Sequence, residues 1–364
     1  MENMEKVVYL DNAATTPCAP EALEMMVKAL SGACGNPSSH YSIGYEAKEF
    51  VDTGRAQVAK AINASPAELF FTSCGSEADN WAVKGTAFTK ARQNKKHLIT
   101  SAFEHHAIMH SMAALERMGF EVTYLPVDHL GHISLEDLEK AIREDTILVS
   151  VMYVNNEVGA VEPIEAISQC IKKKNPKTLF HVDAIQAYGK YKIRPKKQGI
   201  DLLSVSGHKI HAPKGVGFLY IRDGVKIRPI LFGGGQQKGM RSGTENVPGI
   251  AGLGVAAGLI YNSAFDEKIQ KMYDLRSYFI EELQKLPDVT INGCMGRESA
   301  PHIVSASFRG VRAEVLLHAL EDRKIYVSSG SACSSNKPGL SNTLVAIHLD
   351  PDLLDSTIRF SFSF

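Results

Sequence analysis

The sequence predicts an α/β protein: a mostly parallel central sheet flanked by helices, followed by a smaller α+β domain. Three observations carry this. Apolar runs of strand length alternate with helical segments from residue 68 to residue 221, the pattern changes after Gly249, and 364 residues exceed the usual size of one compact core. Parallel strands need long crossovers, so βαβα order implies helices on both faces of the sheet.

The strand-length runs lie at 68–72, 97–100, 122–125, 147–154, 179–182, 202–206 and 217–221. They are nearly continuous in Val, Ile, Leu and Phe, as strands covered on both faces are. Between them, segments 76–88, 106–118, 135–142 and 164–173 repeat apolar residues at three and four, the helical period. Beyond Gly249 come a small-residue helix at 250–259, a long amphipathic helix at 267–286, and strands at 303–308 and 325–328. In such a sheet, ligands gather at the carboxyl ends of the strands.

Charge and cysteine content narrow the function. Forty basic residues balance forty acidic ones, so no global field favours nucleic acid or an anionic membrane, and a small metabolite fits better. No uninterrupted apolar run is long enough to cross a bilayer, and Met1-Glu2-Asn3-Met4-Glu5-Lys6 lacks the layout of a secretory signal, so a cytoplasmic location is expected. Six scattered cysteines with no C-x-x-C pair argue against a structural zinc site or a disulfide framework.

Two segments carry chemistry. In Ser73-Cys74-Gly75-Ser76-Glu77 a buried strand turns into a helix, whose free N–H groups and dipole suit a phosphate. Alone, this is also an ordinary helix cap. No G-x-x-x-x-G-K-[ST] occurs, which disfavours a nucleoside triphosphatase. Asp183 ends one apolar strand and Lys209 follows another, in Ser206-Gly207-His208-Lys209, so both face the ligand edge. A carboxylate with an amine is what pyridoxal 5'-phosphate requires: the amine for a Schiff base, the acid to keep the pyridine nitrogen protonated. Singly, each could be a cap or a solvated lysine.

The joint pattern is more specific. Tyr9-Leu10-Asp11-Asn12-Ala13-Ala14-Thr15-Thr16-Pro17, Gly35-Asn36-Pro37, Val154-Asn155-Asn156-Glu157, Ser206-Gly207-His208-Lys209, Gly233-Gly234-Gly235-Gln236, Arg241-Ser242-Gly243-Thr244 and Ser328-Ser329-Gly330-Ser331-Ala332-Cys333 occur in that order. Together they resemble the NifS-like cysteine desulfurases, class V enzymes of the fold type I pyridoxal phosphate group. The resemblance spans essentially the whole chain and implies a large cofactor domain at 13–250, with residues 1–12 and 251–364 forming the small domain.

It also implies roles. Lys209 would carry the cofactor and move the substrate's α-proton, and Asp183 would pair with the pyridinium nitrogen. His105 would stack on the ring and, as a catalytic residue, assist proton transfer, while Asn155 and Gln186 would contact the phenolic oxygen. Gly75, Ser76, Ser206 and His208 would hold the phosphate, with Thr244 reaching it from a second subunit of a homodimer. Arg359, helped by Asn155 and Asn36, would grip the carboxylate of L-cysteine. Cys333, in a loop of small residues, would take the sulfur as a persulfide and leave L-alanine. Its loop resembles that of the group serving iron-sulfur assembly or tRNA thiolation, so a scaffold or other sulfur-acceptor protein is the expected partner.

The chain departs from the family in places. Cys74-Gly75-Ser76 stands where Gly-Ala-Thr is usual, and Gln237 replaces a common glutamate. The family continues past the Arg359 strand into a loop and helix, whereas this sequence stops at Phe364. Either a tail is omitted from it or the protein lacks one, and in the second case apolar surface on the small domain is expected to be uncovered and the position of Arg359 altered. Four other readings are open. A zinc enzyme could use His105, His106 and His110, but it lacks a matched further ligand. A non-catalytic scaffold is disfavoured by retention of Lys209, Asp183, Cys333 and Arg359. Selenocysteine lyases and class V aminotransferases share the cofactor site and differ in their need for Cys333.

Overall fold

The computed structural model describes residues 7–32, 34–90, 96–330 and 340–364. In chain order the elements begin with β1 (Val8–Tyr9), α1 (Pro20–Gly32), α2 (Ser42–Ala61), β2 (Leu69–Thr72), α3 (Gly75–Lys90), β3 (His97–Ser101), α4 (His106–Glu116) and β4 (Glu121–Leu125). They continue with α5 (Leu135–Ala141), β5 (Thr146–Met152), α6 (Ile164–Lys174), β6 (Leu179–Asp183), β7 (Leu202–Ser206) and β8 (Gly217–Ile221). The last third holds α7 (Val247–Ile260), α8 (Phe265–Leu283), β9 (Val289–Asn292), β10 (Ile303–Phe308), α9 (Ala313–Glu321), β11 (Ile325–Tyr326), α10 (Asn342–Ala346) and β12 (Thr357–Ser361).

Seven strands form the large sheet in the order β2-β8-β7-β6-β5-β3-β4. Only β8 runs against its neighbours, β2 and β7; the other pairings are parallel. Alternate residues of each strand serve opposite faces. Phe218 and Tyr220 of β8 join one apolar core with Val149, Phe180 and Val205. Leu219 and Ile221 join another, with Trp81 of α3 and Met112 of α4. Because both faces are covered, the strands read as apolar runs.

Helix α7, which the sequence reading gives to the second domain for its small residues, packs instead against α1 and α2 beside the large sheet. Its glycines explain the choice. A Cβ on Gly254 would lie 2.6 Å from the Cα of Gly54 in α2, so only glycine lets the two helices approach this closely. The change of packing partner comes in α8, whose Met272, Ile280 and Leu283 enter a third core with β10 and β12.

The small antiparallel sheet has the order β12-β10-β9, and β1 pairs in parallel with β11. Isolated bridges join Asp11 to Ser361 and Ser328 to Arg359, tying the first described residues to the last strand. Gln237 also has a physical role here. Its side chain accepts from Phe71 N at 2.6 Å and donates to Phe71 O at 2.7 Å, satisfying both backbone groups on the open edge of β2. A glutamate in the same position could not donate to that carbonyl. No single described helix is long and apolar enough to cross a membrane.

Candidate active site

Strands β2, β5, β6 and β7 all end at one edge of the large sheet, and their carboxyl ends line a pocket of about 200 Å³. Its walls include Gly75, Ser76, His105, Asp183, Gln186, Ser206, His208, Lys209 and Arg359. Nine of the sequence-predicted site residues therefore meet in one place. Ala13 and Ala14 close the pocket from the N-terminal segment.

Helix α3 begins at Gly75, so the first turn of a long helix opens onto the pocket. A side chain at Gly75 would put its Cβ 2.2 Å from Cδ1 of Ile185, itself a wall residue. The Ser206 hydroxyl is buried at the same edge and has no hydrogen-bond partner among the described residues. An unpaired buried hydroxyl beside a helix N-terminus suits an anionic oxygen.

Asp183 is the last residue of β6 and is 4 % exposed; Oδ1 accepts from Ile185 N at 2.9 Å. Burial raises its carboxyl to about 6, against the lowering influence of that hydrogen bond and of Lys209. Lys209 donates to the carbonyls of Ala13 and Ala14, the latter at 2.7 Å. Gln186 donates to Ala13 O at 3.0 Å and lies 3.2 Å from His302 Nε2. His105 caps α4, its Nδ1 accepting from Ala107 N at 3.1 Å, which places its ring proton on Nε2 when neutral. Burial, helped by His106 and Lys209, pushes it down to about 4, so the ring is neutral at physiological pH. His208 is likewise pushed down to about 4, and its Nδ1 lies 3.2 Å from the Thr15 hydroxyl.

Arg359 is positioned by strand alternation. Ile358 and Phe360 face the small core, so the residue between them points the other way, into the pocket. Its guanidinium donates to Asn156 O at 2.9 Å and to Asp11 Oδ1 at 2.8 Å.

Three expected contributors lie elsewhere in this chain. Asn155 is fully buried behind the wall: its Oδ1 accepts from Glu157 N at 2.8 Å and Val158 N at 2.9 Å, and its amide donates to Phe103 O at 3.2 Å. These bonds commit it to shaping the turn, and Asn156 lines the pocket instead. Asn36 is exposed and caps its own turn, accepting from Ser38 N at 2.9 Å. Thr244 is exposed and outside the pocket wall. Cys333 falls outside the described residues.

Sequence reasoning passed over Asp79. It is fully buried, with neither oxygen in a well-formed hydrogen bond, and the neutral His181 ring lies 3.8 Å away. Burial and the nearby Asp183 carboxyl hold it well above the usual carboxylate range. A lone Asp in the second turn of a helix gives no sequence signal for this. Among the described residues, no three His, Cys, Asp or Glu side chains group as a metal site; the His106 and His110 rings lie 5.3 Å apart.

With this geometry in view, comparison with known proteins is informative. The aminotransferase class-V family model matches residues 8–364. The chain is 46 % identical over 356 residues to a cysteine desulfurase IscS of Methanosarcina thermophila, covering 98 % of this chain and 87 % of that one. Among solved structures it resembles a NifS-like protein with a TM-score of 0.92 at 41 % identity, covering 98 % of this chain and 94 % of the other. It also resembles SspA in complex with cysteine, with a TM-score of 0.86 at 34 % identity and 98 % of each chain covered. The chain belongs to the aminotransferase class-V family, in its NifS-like cysteine desulfurase branch.

Proposed function

We propose that this protein is a pyridoxal 5'-phosphate enzyme that removes sulfur from L-cysteine, passing it to Cys333 as a persulfide and releasing L-alanine. The observation that carries this is the convergence of Lys209, Asp183 and Arg359 on one pocket with an unpaired Ser206 hydroxyl and a bare Gly75 helix start. That donor set fits the cofactor: an amine, a buried acid for a ring nitrogen, and a cradle for a phosphate. When bound, the cofactor supplies an electron sink for charge that develops at the substrate's α-carbon.

The chain's own residues do the rest. Gly75, Ser76, Ser206 and His208 would hold the phosphate, and Asp183 would keep a proton on the ring nitrogen. His105, neutral and in the pocket wall, would face the cofactor without adding a competing charge. Lys209 takes and returns the α-proton. Arg359 binds the substrate carboxylate, and the Cys333 thiolate attacks the substrate sulfur: the S–S bond forms as the Cβ–S bond breaks, its electron pair goes to the carbon fragment, and protonation of that fragment gives L-alanine. A homodimer completed by Thr244, a cytoplasmic location and an iron-sulfur scaffold or other acceptor protein belong to the same proposal.

The test is to incubate the cofactor-loaded protein with L-cysteine and measure alanine release and protein-bound sulfur. The wild type is expected to release alanine and gain one sulfur on the Cys333 peptide, and Cys333→Ser to do neither. Alanine release by Cys333→Ser at the wild-type rate would overturn the role of the thiol.

A further inference from the structure

Arg359 is almost fully buried, at 3 % exposure, and only part of its hydrogen-bonding capacity is used. One terminal nitrogen donates to Asn156 O at 2.9 Å and the other to Asp11 Oδ1 at 2.8 Å. Nε is buried and meets no acceptor among the described residues. Two of the five N–H donors are thus held by the protein, one on each terminal nitrogen, and the plane of the guanidinium is fixed. Nε and a further N–H on each terminal nitrogen remain for a ligand, and Arg359 lines the pocket, so the guanidinium can still take the two oxygens of a carboxylate.

Asp11 is itself held firmly. Its carbonyl accepts from the Tyr9 hydroxyl at 3.1 Å and from Ala14 N at 3.0 Å, and its backbone bridges to Ser361 beside Arg359. Ser361 N donates to Leu10 O at 2.7 Å, closing the tie between the N-terminal segment and β12. The Asp11 side chain is 19 % exposed, and no second role for it is visible among the described contacts.

We infer that Asp11 is a positioning residue for the substrate carboxylate: it fixes the Arg359 guanidinium in the pocket wall so that its remaining N–H groups can receive the incoming α-amino acid. Asp11 touches Arg359 and not the substrate. The placement of its oxygen, more than its charge, is what the site needs. This rests on the reading of Arg359 as the carboxylate anchor, and it adds that recognition of an α-amino acid depends on a residue from the opposite end of the chain.

The experiment uses the cofactor-loaded protein and titrates L-alanine against the cofactor's absorption band, beside steady-state turnover of L-cysteine. Asp11→Asn keeps an oxygen in place and removes the charge; Asp11→Glu keeps the charge and displaces the oxygen by one methylene. The expected result is that Asp11→Asn binds L-alanine within about threefold of wild type. Asp11→Glu should bind at least about tenfold more weakly and raise the KM for L-cysteine similarly, with kcat changed less than about threefold. Equal binding by all three proteins would overturn the inference, and so would weak binding by Asn with normal binding by Glu. Markedly tighter binding by Asp11→Asn would overturn it too, because Asp11 would then be a competitor for Arg359. Arg359→Lys separates the two levels: unchanged L-alanine affinity in that variant removes the anchor itself, whereas weak binding there with unchanged Asp11 variants removes only the role of Asp11.

Discussion

Asp183 makes the folded, cofactor-free protein less stable than it could be, and the cost has a definite pH window. Its carboxyl lies at about 6 in the fold, against 3.8 for an ordinary aspartate, and the cause is burial. Below 3.8 the group is protonated whether the chain is folded or not, and it costs nothing. Between 3.8 and about 6 the unfolded chain ionises first, so folding stability falls as pH rises. Above about 6 the full penalty persists. At ~1.4 kcal/mol per tenfold change in proton affinity, the displacement from 3.8 to about 6 corresponds to roughly 3 kcal/mol at neutral pH. Asp183→Asn keeps the oxygen that accepts from Ile185 N and removes the ionisation. Cofactor-free Asp183→Asn should therefore melt above wild type at pH 7.5, with the gain shrinking toward pH 4, while the cofactor-loaded variant loses most of its alanine release. Thermal unfolding of both apoproteins from pH 4 to 8 checks this. A variant that melts below wild type at pH 7.5, or an offset independent of pH, would refute the reasoning.

Two further outcomes concern the cofactor pocket. Gly75→Ala restores the alanine usual at this position in the family and meets only the far end of the Ile185 side chain, 2.2 Å from Cδ1, so cofactor affinity read by equilibrium dialysis should change little, and a large loss would show that Ile185 cannot yield. Borohydride treatment of the loaded protein followed by peptide mapping should place the pyridoxyl group on Lys209, and label on Lys214 would contradict the assignment of the amine.

The large sheet was legible because its strands are apolar on both faces and its helices carry a clean period; the boundaries of β7 and β8 match the sequence reading residue for residue. Helices α1 and α2 escaped it. Segment 20–61 drew no assignment, and α2 carries Gly44 and Gly54 inside it, residues that lower helix propensity and report instead on close packing that only the folded chain reveals. At the site, Lys209 and Asp183 could be found because strand ends announce themselves in sequence. Asn155 was named from the resemblance alone, and sequence gives no sign that Asn156 is the one of the two on the pocket wall, since that depends on which amide the local backbone claims. Asp79 was invisible for a different reason: burial, not pattern, is what makes a carboxyl unusual.

On the proposed role of Arg359, the N-terminal segment and β12 must meet for this site to form. On the proposed roles, the large sheet would supply the amine, the acid and the phosphate cradle from strands that end on one edge, and the substrate carboxylate would need a fixed cation from elsewhere. That cation comes from β12, whose apolar neighbours Ile358 and Phe360 lock its facing into the small core. The N-terminal segment then lies across both parts, giving the Ala13 and Ala14 carbonyls to Lys209 and the Asp11 carboxylate to Arg359. A shift of that segment would therefore disturb the amine and the carboxylate anchor together, so substitutions at residues 11–14 should affect cofactor and substrate binding in concert, where changes confined to the helix α3 cradle affect the cofactor first.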